Sequence, residues 1–198
     1  MFNTVFGNTY YLEENILFDS VGPNTPFYKD LDRFLSLPSP KDPSQNGKAE
    51  GTVRFPKGLT HLTDFDKLWN ILLPHYQKIG KVIGEPVDNI EIKRAWANRM
   101  YLGSAGGIHK HKNDINFVSI FYYQVPENSG NIVFLNPETI SEDHGNKTLE
   151  HFDDKDKFEI PVKPGTLLCH PPGIWHGITT HNSEIPRICI VIEIRFTK

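Results

Sequence analysis

The sequence predicts a mainly β protein, an antiparallel sandwich or barrel with helix packed on its outer face. Three observations lead there. From residue 90 onward about seven segments are rich in β-branched and aromatic side chains. Turns carrying Gly, Pro and Asn, such as PENSG at 126–130 and KPG at 163–165, separate them. Ahead of them lies a single stretch with helical apolar spacing, and strands in succession after one helix favour sheet packed on sheet over an alternating α/β design.

Residues 1–60 read as an N-terminal arm followed by a loop. Residues 36–52, SLPSPKDPSQNGKAEGT, offer little that could pack and predict a mobile segment. The helix occupies 61–84. After Leu62 its apolar stripe runs through Phe65, Trp69, Leu72, Tyr76, Ile79 and Ile83 at steps of three and four. Thr63 with Asp66 resembles a capping pair, Gly84 is a stop, and Pro74 is expected to kink or divide the helix because it lacks a backbone donor.

The β core is expected over 90–198, with strands at 90–102, 115–125, 131–135, 158–162, 166–170, 175–180 and 187–196. In the last of these Ile188, Ile190, Ile192 and Ile194 alternate with Arg187, Cys189 and Val191, so the strand is covered on both sides, by helix without and by the barrel cavity within. Residues 136–157, with six acidic side chains from Glu142 to Asp156, read as a solvated insertion or, in a sharper version, an active-site lid.

At 198 residues the chain suits one domain that needs no disulfides. A net charge of −3 gives no general attraction for nucleic acid or anionic lipid. Cys169 and Cys189 both sit in apolar runs and read as buried thiols, which suits a reducing, cytoplasmic setting. No uninterrupted apolar run is long enough to span a membrane, and the first residues lack the pattern of an export signal.

Of nine histidines, three stand out by their setting. In extended chain, residues two apart project to one side, so His109 and His111 can face one cavity, and an antiparallel barrel could return His176 beside them. Three imidazoles suit Fe, Zn, Cu or Ni and leave coordination positions open. The familiar open iron site has two histidines and a carboxylate. Asp114 is the alternative ligand from the adjoining turn, and His151 with Asp153 has the H-x-D form inside the acidic insertion. Arg187 opens the last strand, where a buried guanidinium needs a partner; a carboxylate-bearing ligand would serve, or else Glu193 or solvent. Ser119 and Tyr123 share a face of their strand and offer hydroxyl donors to the same ligand.

The ordered set WANRMYLGSAGGIHKH, VSIFYYQVPENSGNIVF, VKPGTLLCHPPGIWHGI and PRICIVIEIRF, running from Ala95 to Phe196, resembles the iron(II)/2-oxoglutarate oxygenases of prolyl-hydroxylase type, in a branch with an H-x-H pair. The resemblance implies a double-stranded β-helix, or jelly roll. It also implies Fe(II) held by His109, His111 and His176, and 2-oxoglutarate held by Arg187 with Ser119 and Tyr123, with O2 as co-reactant. Asn98 and Tyr101 are further cavity candidates that project to opposite faces of one strand. His111 stands where the better-studied hydroxylases carry Asp or Glu, leaving the site one negative charge poorer, and Cys189 stands where they often carry a small hydroxyl residue. The implied reaction is hydroxylation of a peptide, a sugar or another small molecule.

Two other readings compete. Gly103 with His109 and His111, and Gly165 with Pro171, Gly173 and His176, also resemble the two signatures of cupins, although Ile115 and Asn116 stand where a cupin glutamate is expected. A non-catalytic β-sandwich whose histidines bind nothing is the third.

Overall fold

A computed structural model describes residues 1–36, 52–54, 61–140 and 148–198. The predicted loop at 36–52 lies, apart from its ends, outside these residues, as do Glu142, Asp143 and His144 of the acidic insertion.

The chain opens with a hairpin, β1 (Phe2–Val5) and β2 (Asn8–Glu13), then α1 (Pro26–Leu35), β3 (Thr52–Arg54) and α2 (Phe65–Ile83). The β core follows as β4 (Ile90–Met100), β5 (Gly106–His109), β6 (Phe117–Gln124), β7 (Ile132–Leu135), β8 (Lys157–Ile160), β9 (Thr166–His170), β10 (His176–Ile178) and β11 (Arg187–Phe196). These strands form a seven-stranded sheet ordered β1-β2-β9-β6-β11-β4-β3 and a four-stranded sheet ordered β5-β10-β7-β8, every pair antiparallel. The architecture is the predicted mainly β jelly roll with helices on one face.

The two faces of the large sheet do different work. Ile188, Ile190, Ile192 and Ile194 of β11 join Leu31, Leu68, Leu72 and Tyr76 in a core beneath α1 and α2. Cys189 and Val191 turn the other way and pack with Val118, Tyr122, Phe134 and Leu168 between the sheets. The alternation read from the final strand is thus a helix-covered face and a cavity-lining face. A third, smaller core lies outside the four-stranded sheet, where Ile140 and Phe152 of the acidic insertion cover Ile108, Val133 and Leu135. The described part of that insertion is packed structure with two short 3₁₀ turns.

Some local expectations are corrected. Pro74 sits inside α2 without dividing it, because packing of the apolar stripe outweighs one missing backbone donor. Thr63 does not cap α2: its backbone and hydroxyl donate to Asp30, and Asp64 takes the N-cap position in left-handed geometry (φ 62°). Gly84 ends the helix as predicted, at φ 76°. Gly80 lets α2 lie close to the sheet, since a Cβ there would come within 2.8 Å of the Phe196 ring.

α1 and the hairpin β1-β2 were not foreseen as elements. Thr25 accepting from the Tyr28 backbone, with Pro26 at the first helical position, is the local signal that α1 carries.

Candidate active site

β5 and β10 lie side by side, with His109 directly opposite His176 in their register. Two residues beyond β5, His111 is fixed by a backbone hydrogen bond from its own N–H to the Pro172 carbonyl (2.9 Å). The three imidazoles therefore converge, with ring centroids 4.3 Å (109 to 176), 5.2 Å (109 to 111) and 5.3 Å (111 to 176) apart. One nitrogen from each lies within 4.8 Å of the other two. Bonds of roughly 2.1 Å to one ion hold three nitrogens about 3.0–3.6 Å apart, so the rings would draw together somewhat to close the chelate.

The tautomers favour a metal as well. Nδ1 of His109 faces the Gly107 carbonyl at 2.8 Å, Nδ1 of His176 faces the Ile174 carbonyl at 3.0 Å, and Nδ1 of His111 faces a Glu193 carboxylate oxygen at 2.7 Å. A ring nitrogen against such an acceptor carries the proton. That makes Nε2 the ligand nitrogen of each ring, which is how ligating histidines are ordinarily prepared. Burial, aided by the neighbouring imidazoles, holds His176 well below the ordinary histidine range and so keeps it neutral. His176 is buried and His109 exposed, so the cluster sits at the mouth of the interior.

Arg187 enters the same interior from the end of β11. It is 1% exposed, its guanidinium carbon lies 5.0 Å from the centre of the Tyr122 ring, and Nη1 meets the Met100 sulfur at 2.9 Å. Nε and Nη2 have no hydrogen-bond partner among the described residues. Glu193, the anticipated protein partner, is instead engaged by His111 and Arg94. Two further orphaned atoms share this end of the cavity, the Tyr122 hydroxyl and Oδ1 of Asn98. Asn98 faces inward opposite Cys189, to whose sulfur its amide donates at 3.9 Å. Buried polar atoms without partners are costly, and the unpaired guanidinium donors with the Tyr122 hydroxyl fit a carboxylate, while Oδ1 of Asn98 is left to accept from a hydroxyl or other donor.

Three sequence-derived candidates are not brought into the site. Ser119 and Tyr123 share a face as expected, but it is the helix-covered one: Ser119 bonds to the Tyr76 hydroxyl (2.8 Å) and Tyr123 donates to the Val21 carbonyl. The cause is register, since Ser119 pairs with Ile192, whose side chain also lies under α2. Asp114 lies outside the histidine cluster and is ion-paired to Arg94 at 2.9 Å.

One residue, His170, was missed, and Glu193 was anticipated with the wrong partner. His170 ends β9 inside the cavity, its ring 4.6 Å from that of His176, with Nδ1 on the Pro171 carbonyl (2.8 Å) and Nε2 without a partner. Burial pushes it down to about 3. Its parity with Leu168 in TLLCH was the available signal. Glu193 shares the parity of Arg187, Cys189 and Val191 and is the one acid in that apolar strand. A separate cavity of about 500 Å³, bordered by Gly106, Val133, Leu149 and Lys157, contains none of these histidines.

Comparison with known proteins gives a consistent family. A family model described as "Putative 2OG-Fe(II) oxygenase" matches residues 94–193. Among solved structures, HygX from Streptomyces hygroscopicus with nickel and 2-oxoglutarate bound superposes with a TM-score of 0.65 at 12% identity, covering 95% of this chain and 83% of that one. The non-heme alpha ketoglutarate dependent carbocyclase SnoK from nogalamycin biosynthesis gives 0.65 at 10% identity, over 93% and 78% of the two chains. The epimerase SnoN from the same biosynthesis gives 0.62 at 12%, over 96% and 79%. At such identities these structures speak for the fold. No curated protein matches by sequence.

Proposed function

The chain belongs to the 2OG-Fe(II) oxygenases, whose family model covers just over half of it, and from that premise we propose that His109, His111 and His176 hold Fe(II) while Arg187, Tyr122 and Asn98 hold 2-oxoglutarate. The observation that carries the reading is the convergence of one ring nitrogen from each of three histidines in a fold that also buries a guanidinium with unpaired donors. When bound, iron, 2-oxoglutarate and O2 supply oxidative decarboxylation of the keto acid to succinate, coupled to oxidation of a substrate C–H bond.

The protein's own groups position and shield. Arg187 presents its fork to the distal carboxylate of the cosubstrate, and the Tyr122 hydroxyl and Asn98 flank it. Val118, Ile120, Ile174, Leu168 and Val191 exclude water from the interior. Trp96 packs against the His111 ring, centroids 6.0 Å apart, and steadies it. Substrate approaches from the side of His109, the exposed histidine.

We take that substrate to be a small organic molecule. Support comes from the structural neighbours, one solved with hygromycin B and another with nogalamycin RO. A hydroxylation is the simplest outcome. Among the described residues no helix is long and apolar enough to cross a membrane.

Anaerobic titration of the Fe(II)-loaded protein with 2-oxoglutarate tests the assignment. A visible charge-transfer band from the chelated keto acid is expected to appear, and to vanish in His176→Ala. A protein that binds Fe(II) but never develops the band would refute it.

A further inference from the structure

Among the described residues the three-histidine cluster has no carboxylate of the kind that usually completes an open iron site, yet a buried carboxylate stands immediately behind one of its rings. Glu193 is 3% exposed and projects from β11 between the sheets. Its Oε1 accepts from His111 Nδ1 at 2.7 Å, and its Oε2 accepts from Arg94 Nε. Arg94 in turn reaches Asp114 at 2.9 Å. The other two histidines rest on neutral backbone carbonyls, those of Gly107 and Ile174. His111 has a buried carboxylate as its partner.

We propose that Glu193 is a positioning residue for the metal, fixing the tautomer and rotation of His111 and delivering through that imidazole the negative charge that the ligand set itself lacks. The inference rests on the reading of His109, His111 and His176 as the iron ligands. When Nε2 gives its lone pair to a cation, the proton on Nδ1 becomes more acidic and its hydrogen bond to a carboxylate strengthens. That gain is larger in the metal-bound state than in the free one, so it appears as affinity. Water screens the pair poorly, because both side chains are less than a tenth exposed. Arg94 anchors the carboxylate by its other oxygen.

The test is Co(II) affinity of the purified metal-free chain, measured by competition with a chromophoric chelator, together with the visible spectrum of the Co(II) form. Wild-type protein should bind one Co(II), and His176→Ala should weaken it severely. If either fails, the ligand assignment itself is wrong. With those controls met, Glu193→Gln, which keeps an acceptor oxygen but no charge, should weaken Co(II) about 10- to 100-fold and shift its spectrum. Arg94→Gln, which breaks the outer ion pair and leaves the His111 contact, should bind Co(II) at least as tightly as wild type. Should Glu193→Gln fold poorly, the pair Arg94→Gln with Glu193→Gln removes both charges together and should show the same weakening. Affinity within twofold of wild type in either Glu193 variant would overturn the proposal. Equal losses in Arg94→Gln and Glu193→Gln would do so as well, because they would mark a purely structural ion pair.

Discussion

Replacing Arg187 by Met should make the metal-free protein more stable and its keto-acid binding much weaker. The guanidinium is 1% exposed, and its contacts are a thioether, an aromatic face and no described carboxylate. Exchanging a buried ion for an apolar group of similar volume is often neutral or stabilising by about 1–4 kcal/mol. In a chain of this size each kcal/mol corresponds to roughly 2–4 °C in Tm. Binding moves the other way. Losing a buried, charge-assisted contact to a carboxylate costs about 2–5 kcal/mol, or roughly 30- to 5000-fold in Kd. Thermal melts without ligand and anaerobic 2-oxoglutarate titrations of the Fe(II) form measure the two effects separately. The reasoning fails if Kd stays within about threefold of wild type. It fails equally if the ligand-free protein loses several degrees, for then Arg187 has a stabilising partner in the protein.

Hydroxyls on the two faces of β6 should behave oppositely. Ser119→Ala and Tyr123→Phe each leave a buried partner unsatisfied, Tyr76 or the Val21 carbonyl, and should cost about 1–3 kcal/mol by urea unfolding with 2-oxoglutarate affinity unchanged. Tyr122→Phe removes an unpartnered buried hydroxyl and should leave stability intact or raised. By titration it should weaken the keto acid about 2- to 10-fold, the share of one hydrogen bond. Acid should destabilise the metal-free protein early, because burial holds His170 and His176 below their ordinary range. The unfolded chain takes up those protons near pH 6.5 and the native state refuses them, so stability is complete above that pH. It then declines by up to about 1.4 kcal/mol per pH unit for each histidine, continuing for His170 toward its folded value of about 3. Urea midpoints at pH 7.5, 6.5 and 5.5 should show the decline, and His170→Phe should shed one histidine's share; a flat profile would contradict the burial argument.

The legible part of this protein was the part written in short-range pattern. Alternation in RICIVIEIRF gave a strand with two covered faces, and β11 spans those ten residues. The i, i+2 spacing in HKH placed His109 and His111 on one side, and the structure brings them to His176. Ser119 and Tyr123 show where such reasoning stops. Their shared face was read correctly from parity, but parity carries no sign, and pairing of Ser119 with Ile192 sends that face to the helices. His170 escaped notice for the same reason, since only its register opposite Val118 turns it into the cavity. The expected break at Pro74 and cap at Thr63 failed differently, as local rules overridden by packing and by the distant Asp30.

From the residue pattern came a mainly β sandwich or barrel, its outer helix, and the pairing of an H-x-H segment with a distant histidine and arginine, while the jelly roll itself was what the family resemblance implied. Those features depend on the two-residue repeat of strands, the helical repeat, and turn chemistry, all properties of neighbours in the chain. Only the folded molecule decided which strand faces look into the cavity, that Glu193 backs His111, and that Arg187 is left with donors to spare. Each of these depends on register between strands tens of residues apart, where a shift of one residue would send every side chain to the opposite face.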